Sequence, residues 1–146
     1  MQFLVELGKQ KRLSLEFKNG LGTVAYHAAC HLRAQKIGYP GQRVLAKVPE
    51  TDVRMLEECS AVDGTWGMKA RHYATGRKYA QKLVGAAALS EPDLLVTDCT
   101  LSAYRIAHER DLAGADAVRV VHPIEALAEA YGLGEATGAR GVAPTP

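Results

Sequence analysis

The chain has no long hydrophobic run. Its longest uncharged apolar stretch, Leu83 to Leu89, is seven residues, against the ~20 that a bilayer-spanning helix needs, so a transmembrane segment is not expected. Charge of one sign is scarce as well: 18 Lys and Arg face 16 Asp and Glu, a formal +2. That excess is too small for binding to nucleic acid or anionic lipid through the overall field. No basic segment followed by an apolar stretch opens the chain, where Gln2, Phe3 and Leu4 lead to Glu6 and Lys9, and a cytoplasmic location is the expectation. Cysteine is rare and odd in number, with Cys30, Cys59 and Cys99 far apart, which argues against a disulfide framework. Gly-x-Gly-x-x-Gly after a strand, the P-loop pattern and His-Glu-x-x-His are all missing, which sets aside dinucleotide, nucleoside triphosphate and metalloprotease sites.

What remains suits one packed domain. Apolar residues make up 47% and charged residues 23% of 146 positions, outside the range of disordered chains. Four short runs read as strands: Thr23 to His27, Asp52 to Glu57, Asp93 to Asp98 and Ala117 to Val121. The third is a continuous aliphatic run, the pattern of a strand covered on both faces. The fourth stops at His122-Pro123, where proline ends ladder pairing. Between them, helical spacing marks Met68 to Ala88, weakened at Gly76, then Leu101 to Leu112, and Pro123 to Tyr131. A broken or short helix falls within 33–47. Strands alternating with helices predict an α/β fold, a parallel four-stranded sheet with helices on its faces. Residues 1–20 read as an N-terminal extension, 21–132 as the α/β domain and 133–146, rich in Gly, Ala and Pro, as a flexible tail.

The reactive side chains share one topological position. Cys30, Cys59 and Cys99 each fall just past one of the first three strands, and His122 just past the fourth. In a parallel α/β sheet the carboxyl ends of the strands form one edge, where such folds place ligands. Buried cysteines acting as small hydrophobes have no need of that position. Thiolates gathered at one edge suit zinc, copper(I) or an iron–sulfur cluster. Zinc sites pair their ligands two to four residues apart, whereas 28 residues separate Cys30 from Cys59 and 39 separate Cys59 from Cys99. The whole fold would have to assemble such a site. A cysteine nucleophile at a helix start is the alternative, and it leaves two aligned cysteines without a use.

The runs Tyr26-His-Ala-Ala-Cys30-His31-Leu-Arg33, Cys59-Ser60-Ala61-Val-Asp-Gly64-Thr-Trp66-Gly67, Val96-Thr-Asp-Cys99-Thr-Leu-Ser102 and His122-Pro-Ile-Glu125 resemble the cysteine-rich (CCG) domain. That domain occurs in the B subunit of heterodisulfide reductase and in the iron–sulfur subunits of anaerobic glycerol-3-phosphate dehydrogenase and glycolate oxidase. Order and rough spacing agree over 21–132. The resemblance implies an electron-transfer component of a larger oxidoreductase, with no catalytic residue of its own, holding a cluster through Cys30, Cys59 and Cys99. The sequence departs from the family at Ser60 and Ser102, which stand where two further cysteines belong, and at Ala61, which replaces a glycine. Three thiolates still suit a 4Fe-4S cubane whose fourth iron takes a different ligand. His122 leads the candidates, ahead of His27, Ser60, Ser102 and solvent. Family members carry two such domains behind a ferredoxin-like module, and one copy is matched here. Partners are therefore expected among other redox subunits or a second CCG domain, with membrane association only through a partner.

Several residues admit two readings. Trp66, between Gly64 and Gly67, either covers the cluster and excludes water or packs at a turn leading into the long helix. His31 is read as orienting a ligand from behind, although a lone histidine is more often a structural residue. Lys69, Arg71, His72, Arg77, Lys78 and Lys82 form either a docking face for an acidic electron-transfer partner or for phosphate, or a solvated helix face. With two of five ligands replaced, the fold also suits a metal-free scaffold or interaction subunit.

Overall fold

The computed structural model describes residues 1–115 and 118–135. Its elements are α1 (Gln2–Lys9), β1 (Gly22–His27), α2 (Cys30–Ala34), α3 (Pro40–Leu45), β2 (Thr51–Leu56), α4 (Ala70–Leu89), β3 (Leu94–Thr97), α5 (Thr100–Leu112), β4 (Val120–Val121) and α6 (Pro123–Ala130), with a single 3₁₀ turn at Trp66–Met68. The four strands form one sheet in the order β2-β1-β3-β4, parallel throughout: Tyr26 is level with Met55 on one side and Val96 on the other, and Val96 with Val121. The α/β fold with a four-stranded parallel sheet is thus as the sequence predicts.

Alternation along each strand builds two cores. Val24, Tyr26, Leu94, Val96 and Val121 point to one face, where Val44 and Leu45 of α3 and Ala126, Leu127 and Ala130 of α6 cover them. Leu4 and Val5 of α1 pack against the edge of this layer. Ala25, Leu95 and Val120 point to the other face, against Leu83 and Ala87 of α4 and Ala103, Ile106 and Ala107 of α5. All four residues of β3 are buried, which is why its sequence is aliphatic without alternation. In β2, at the sheet edge, burial instead alternates.

Element details differ from the sequence reading in two places. The broken or short helix expected within 33–47 is in fact two short helices: α2 begins earlier, at Cys30, and ends at Ala34, and Pro40 starts α3 at its first turn, as its fixed φ favours. The fourth strand is only Val120–Val121, and Ala117 lies outside the described residues, as does 136–146, most of the expected tail. Helix α4 runs unbroken through Gly76. A Cβ there would lie 2.8 Å from the Gly67 carbonyl oxygen, and one at Gly67 would lie 1.9 Å from that of Ala61. The two glycines let the loop after β2 seat directly on α4, and that contact outweighs the ~1 kcal/mol helix cost of glycine.

From β1 the chain moves outward to β2, then crosses back to β3 on the opposite side of β1 and continues to β4. The order therefore reverses between β1 and β3, and the crevice at their carboxyl ends is where open α/β sheets hold ligands.

Candidate functional site

The strand order puts the loops carrying Cys59, Cys30 and Cys99 side by side at the carboxyl edge, since β2, β1 and β3 are neighbours in that order. Cys30 is the first residue of α2 and is exposed, Cys59 is exposed in the loop after β2, and Cys99 is partly buried at the N-cap position of α5, where its side chain makes no capping bond. The Cys99 and Cys30 loops flank the switch point. Among the described residues no three His, Cys, Asp or Glu side chains stand close enough together to hold one metal ion. A single ion demands ligand atoms within ~2.3 Å of one centre; a cluster takes one thiolate per iron and spreads its ligands more widely.

The loops are tied together from beneath by buried polar contacts. His27, 3% exposed, ends β1. Its Nε2 lies 3.2 Å from the Glu58 carbonyl, which can only accept, so Nε2 carries the proton. Nδ1 then accepts from the Thr97 hydroxyl at 2.9 Å, and Thr97 Oγ1 in turn accepts from the Cys99 backbone N–H at 3.3 Å. One imidazole thereby joins the residue preceding Cys59 to the strand leading into Cys99. Burial, opposed in part by the Glu58 carbonyl, lowers the His27 pKa to about 4, so the ring is neutral at physiological pH. With both nitrogens engaged it has no lone pair to offer a metal, and its place among the fourth-ligand candidates is withdrawn.

On the opposite face of β1, the fully buried Tyr26 donates its hydroxyl proton to Asp98, next to Cys99. Desolvation and the Asp98 carboxylate raise the phenol pKa well above its usual range, while a Gln42 backbone N–H donates to the same oxygen. Tyr26 is the next-to-last residue of β1, Thr97 ends β3 and Asp98 follows it directly, so what signals them is position.

The two positions where serine replaces cysteine touch each other. Ser60 and Ser102 are both buried, with Oγ atoms 2.8 Å apart, joining the loop after β2 to the first turn of α5. The Cys59 sulfur accepts from the Ala61 N–H at 3.3 Å, the type of contact that tunes metal-bound sulfur. Ala61 itself is at φ +55°, a left-handed conformation that costs a non-glycine residue ~1 kcal/mol. The backbone keeps a glycine's geometry where the sequence has alanine.

The remaining predicted residues are Trp66, His31 and His122. Trp66 is 39% exposed and stacks on His72, with ring centroids 4.2 Å apart and planes 14° from parallel. Arg105 donates to the carbonyl of the adjacent Gly67. His31 is partly exposed in the first turn of α2. His122 is the N-cap of α6: its Nδ1 accepts from the Ile124 N–H at 3.2 Å, and its own N–H donates to Glu125 at 2.8 Å. An acceptor Nδ1 leaves the proton of the neutral ring on Nε2, so capping and ligation through Nε2 require opposite tautomers.

The sequence has relatives of known identity. It is 31% identical over 110 residues to the C subunit of anaerobic glycerol-3-phosphate dehydrogenase from Escherichia coli strain K12, an alignment covering 73% of this chain and 26% of that protein. The same figures hold for the corresponding protein of Escherichia coli O157:H7. The chain is similar to a dehydrogenase subunit. It spans about a quarter of the length of these relatives. No family model matches the chain, and no solved structure matches it. No helix among the described residues is long and apolar enough to cross a membrane.

Proposed function

We propose that this chain is an iron–sulfur cluster-binding, electron-transfer domain of a larger oxidoreductase, with Cys30, Cys59 and Cys99 as thiolate ligands of a 4Fe-4S cluster. The observation that carries the reading is the placement of all three cysteines directly after three adjacent parallel strands, around the switch point. The similarity to a dehydrogenase subunit supports it. When bound, the cluster supplies reversible one-electron oxidation and reduction. The chain's own residues orient and shield it. His27 and Thr97 fix the loops, the Ala61 N–H steadies the Cys59 sulfur, and Trp66 and His31 line the rim.

His122 is the proposed fourth ligand and binds by giving up its cap, while Ser60 and Ser102, already paired, stay in a supporting role. The domain works in the cytoplasm beside other redox subunits or a second domain of its kind, reaching a membrane only through such a partner. Anaerobic reconstitution with ferrous iron and sulfide tests the reading. A brown protein with a reducible paramagnetic signal, lost in Cys59→Ala, is the expected result, and a colourless protein that carries no iron contradicts it.

A second reading is a metal-free interaction subunit with the same fold. The Ser60–Ser102 hydrogen bond favours it, because the buried gap left by two absent thiolates is closed by protein alone. Under that reading Cys30→Ser, Cys59→Ser and Cys99→Ser all fold and keep partner affinity unchanged.

A further inference from the structure

Helix α4 carries a charge pattern that the proposed cluster does not use. From Gly64 to Ser90 the chain has no Asp or Glu but five of its 18 Lys and Arg, so the remainder holds 13 cations against 16 acids. The positive charge of a nearly neutral chain is gathered on one element. Arg77 is compensated by Glu109 of α5, at 3.0 Å. Among the described residues no ion pair involves Lys69, Arg71, Lys78 or Lys82, and all four are exposed. With about 3.6 residues per turn, Arg71, Thr75, Lys78, Lys82, Gly85 and Leu89 fall on one exposed stripe, opposite the buried Gly76, Ala80 and Ala87.

The stripe runs against what would stabilise the helix. Its N-cap, Lys69, makes no side-chain capping bond and its first turn holds no acid, so Lys69 and Arg71 stand at the positive end of the helix dipole. Lys78 and Lys82, four residues apart, repel each other. Gly85 is exposed in the helix interior, with open space where a Cβ would stand, so unlike Gly76 it answers to no close packing within the chain. Three features that each weaken the helix lie on one uncovered face, and such local conflicts concentrate where a surface serves something other than the fold. The gap at Gly85 lets a second helix approach closely, and Tyr79 and Leu89, 58% and 88% exposed, add apolar contact. The formal +2 of the whole chain does little to draw in a polyphosphate or a lipid surface, whereas an acidic helix needs only the local match.

We propose that this face of α4 docks an acidic helix of a protein partner, its carboxylates toward Arg71, Lys78 and Lys82 and its backbone close against Gly85. The face starts where the Cys59 loop ends, past Trp66 and Met68, which are 39% and 41% exposed. Under the cluster reading the partner is therefore a redox subunit, but the docking itself needs no iron, and the two readings stand or fall separately.

Titration of the iron-free chain at low salt with a synthetic Ala-rich helical peptide of about 20 residues, bearing Glu along one face, tests the proposal through amide chemical shifts. The same peptide with Gln for Glu is the uncharged control, and duplex DNA and phosphatidylserine vesicles are titrated alongside. The expected result is saturable binding of the acidic peptide with shifts at Arg71, Lys78, Lys82 and Gly85, and at least ~10-fold weaker binding of the Gln peptide. Lys78→Glu, which sets a Glu four residues before Lys82, should raise the melting midpoint by roughly 2 °C and still weaken peptide binding at least ~5-fold. Gly85→Gln should likewise raise the midpoint and weaken binding. Absence of saturation, equal binding of the Gln peptide, shifts away from α4, undiminished binding in either folded variant, a lowered midpoint in both, or tighter binding of DNA or vesicles than of the acidic peptide would each overturn the proposal.

Discussion

The hydroxyls of Ser60 and Ser102, 42 residues apart in sequence, meet at 2.8 Å in the interior and lock the loop after β2 to the first turn of α5. Removing either one leaves the other buried without its partner. Ser60→Ala and Ser102→Ala should each cost ~1–2 kcal/mol, and the double variant should cost less than their sum. Urea unfolding of all four proteins closes the cycle, and strict additivity would mean that the two hydroxyls do not depend on each other.

Tyr26 and Asp98 are the corresponding tie on the other face of β1. Tyr26→Phe keeps the ring in its fully buried slot but leaves the Asp98 carboxylate and the Gln42 N–H without that hydroxyl. A loss of ~1.5–3 kcal/mol is expected, as for hydrogen bonds to charged groups, and it should appear in the denaturation midpoint with an unchanged slope.

His27 makes stability depend on pH in a definite direction. Its pKa is about 4 in the folded chain, lowered from 6.5 by burial, so between those values the unfolded chain binds a proton that the folded chain does not. Stability therefore falls as pH drops from ~6.5 to ~4, by about 3 kcal/mol in all at ~1.4 kcal/mol per unit, and is insensitive to this group above ~6.5. The difference in unfolding free energy between wild type and His27→Gln, followed from pH 7 to pH 4, should shrink steadily; a constant difference would show that His27 does not titrate this way.

His122 can be separated into its two roles. His122→Ala removes the acceptor for the Ile124 N–H and should cost ~1 kcal/mol, whereas His122→Asp, a strong N-cap residue, should restore it. If His122 also completes the cluster, His122→Asp will be as stable as wild type before iron loading and will still give a more labile cluster. Equal lability of the wild-type and His122→Asp clusters would leave His122 as a cap alone.

Much of the architecture was legible because it rests on local signals. The aliphatic run at Leu94–Thr97, Pro123 opening α6 and the alternation of strands with helices each follow from short-range rules. The strand-end positions of the three cysteines were equally readable, since only element order is needed. Long-range contacts were not. Nothing local announces that Ser60 meets Ser102 or that His27 spends both nitrogens on Glu58 and Thr97. Gly76 reads as a weak point in a helix until the Gly67 carbonyl is seen against it. The reversal of strand order between β1 and β3, which places Cys30 and Cys99 at the crevice, likewise emerges only from the assembled sheet.

Iron and acid-labile sulfide counted per chain after anaerobic reconstitution test the central claim most directly, in wild type and in Cys30→Ala, Cys59→Ala and Cys99→Ala. Wild type should hold both elements in equal, stoichiometric amounts, and each variant should lose most of them while remaining folded by circular dichroism. Wild type without iron, or all three variants retaining as much iron as wild type, would contradict the assignment of these cysteines as cluster ligands.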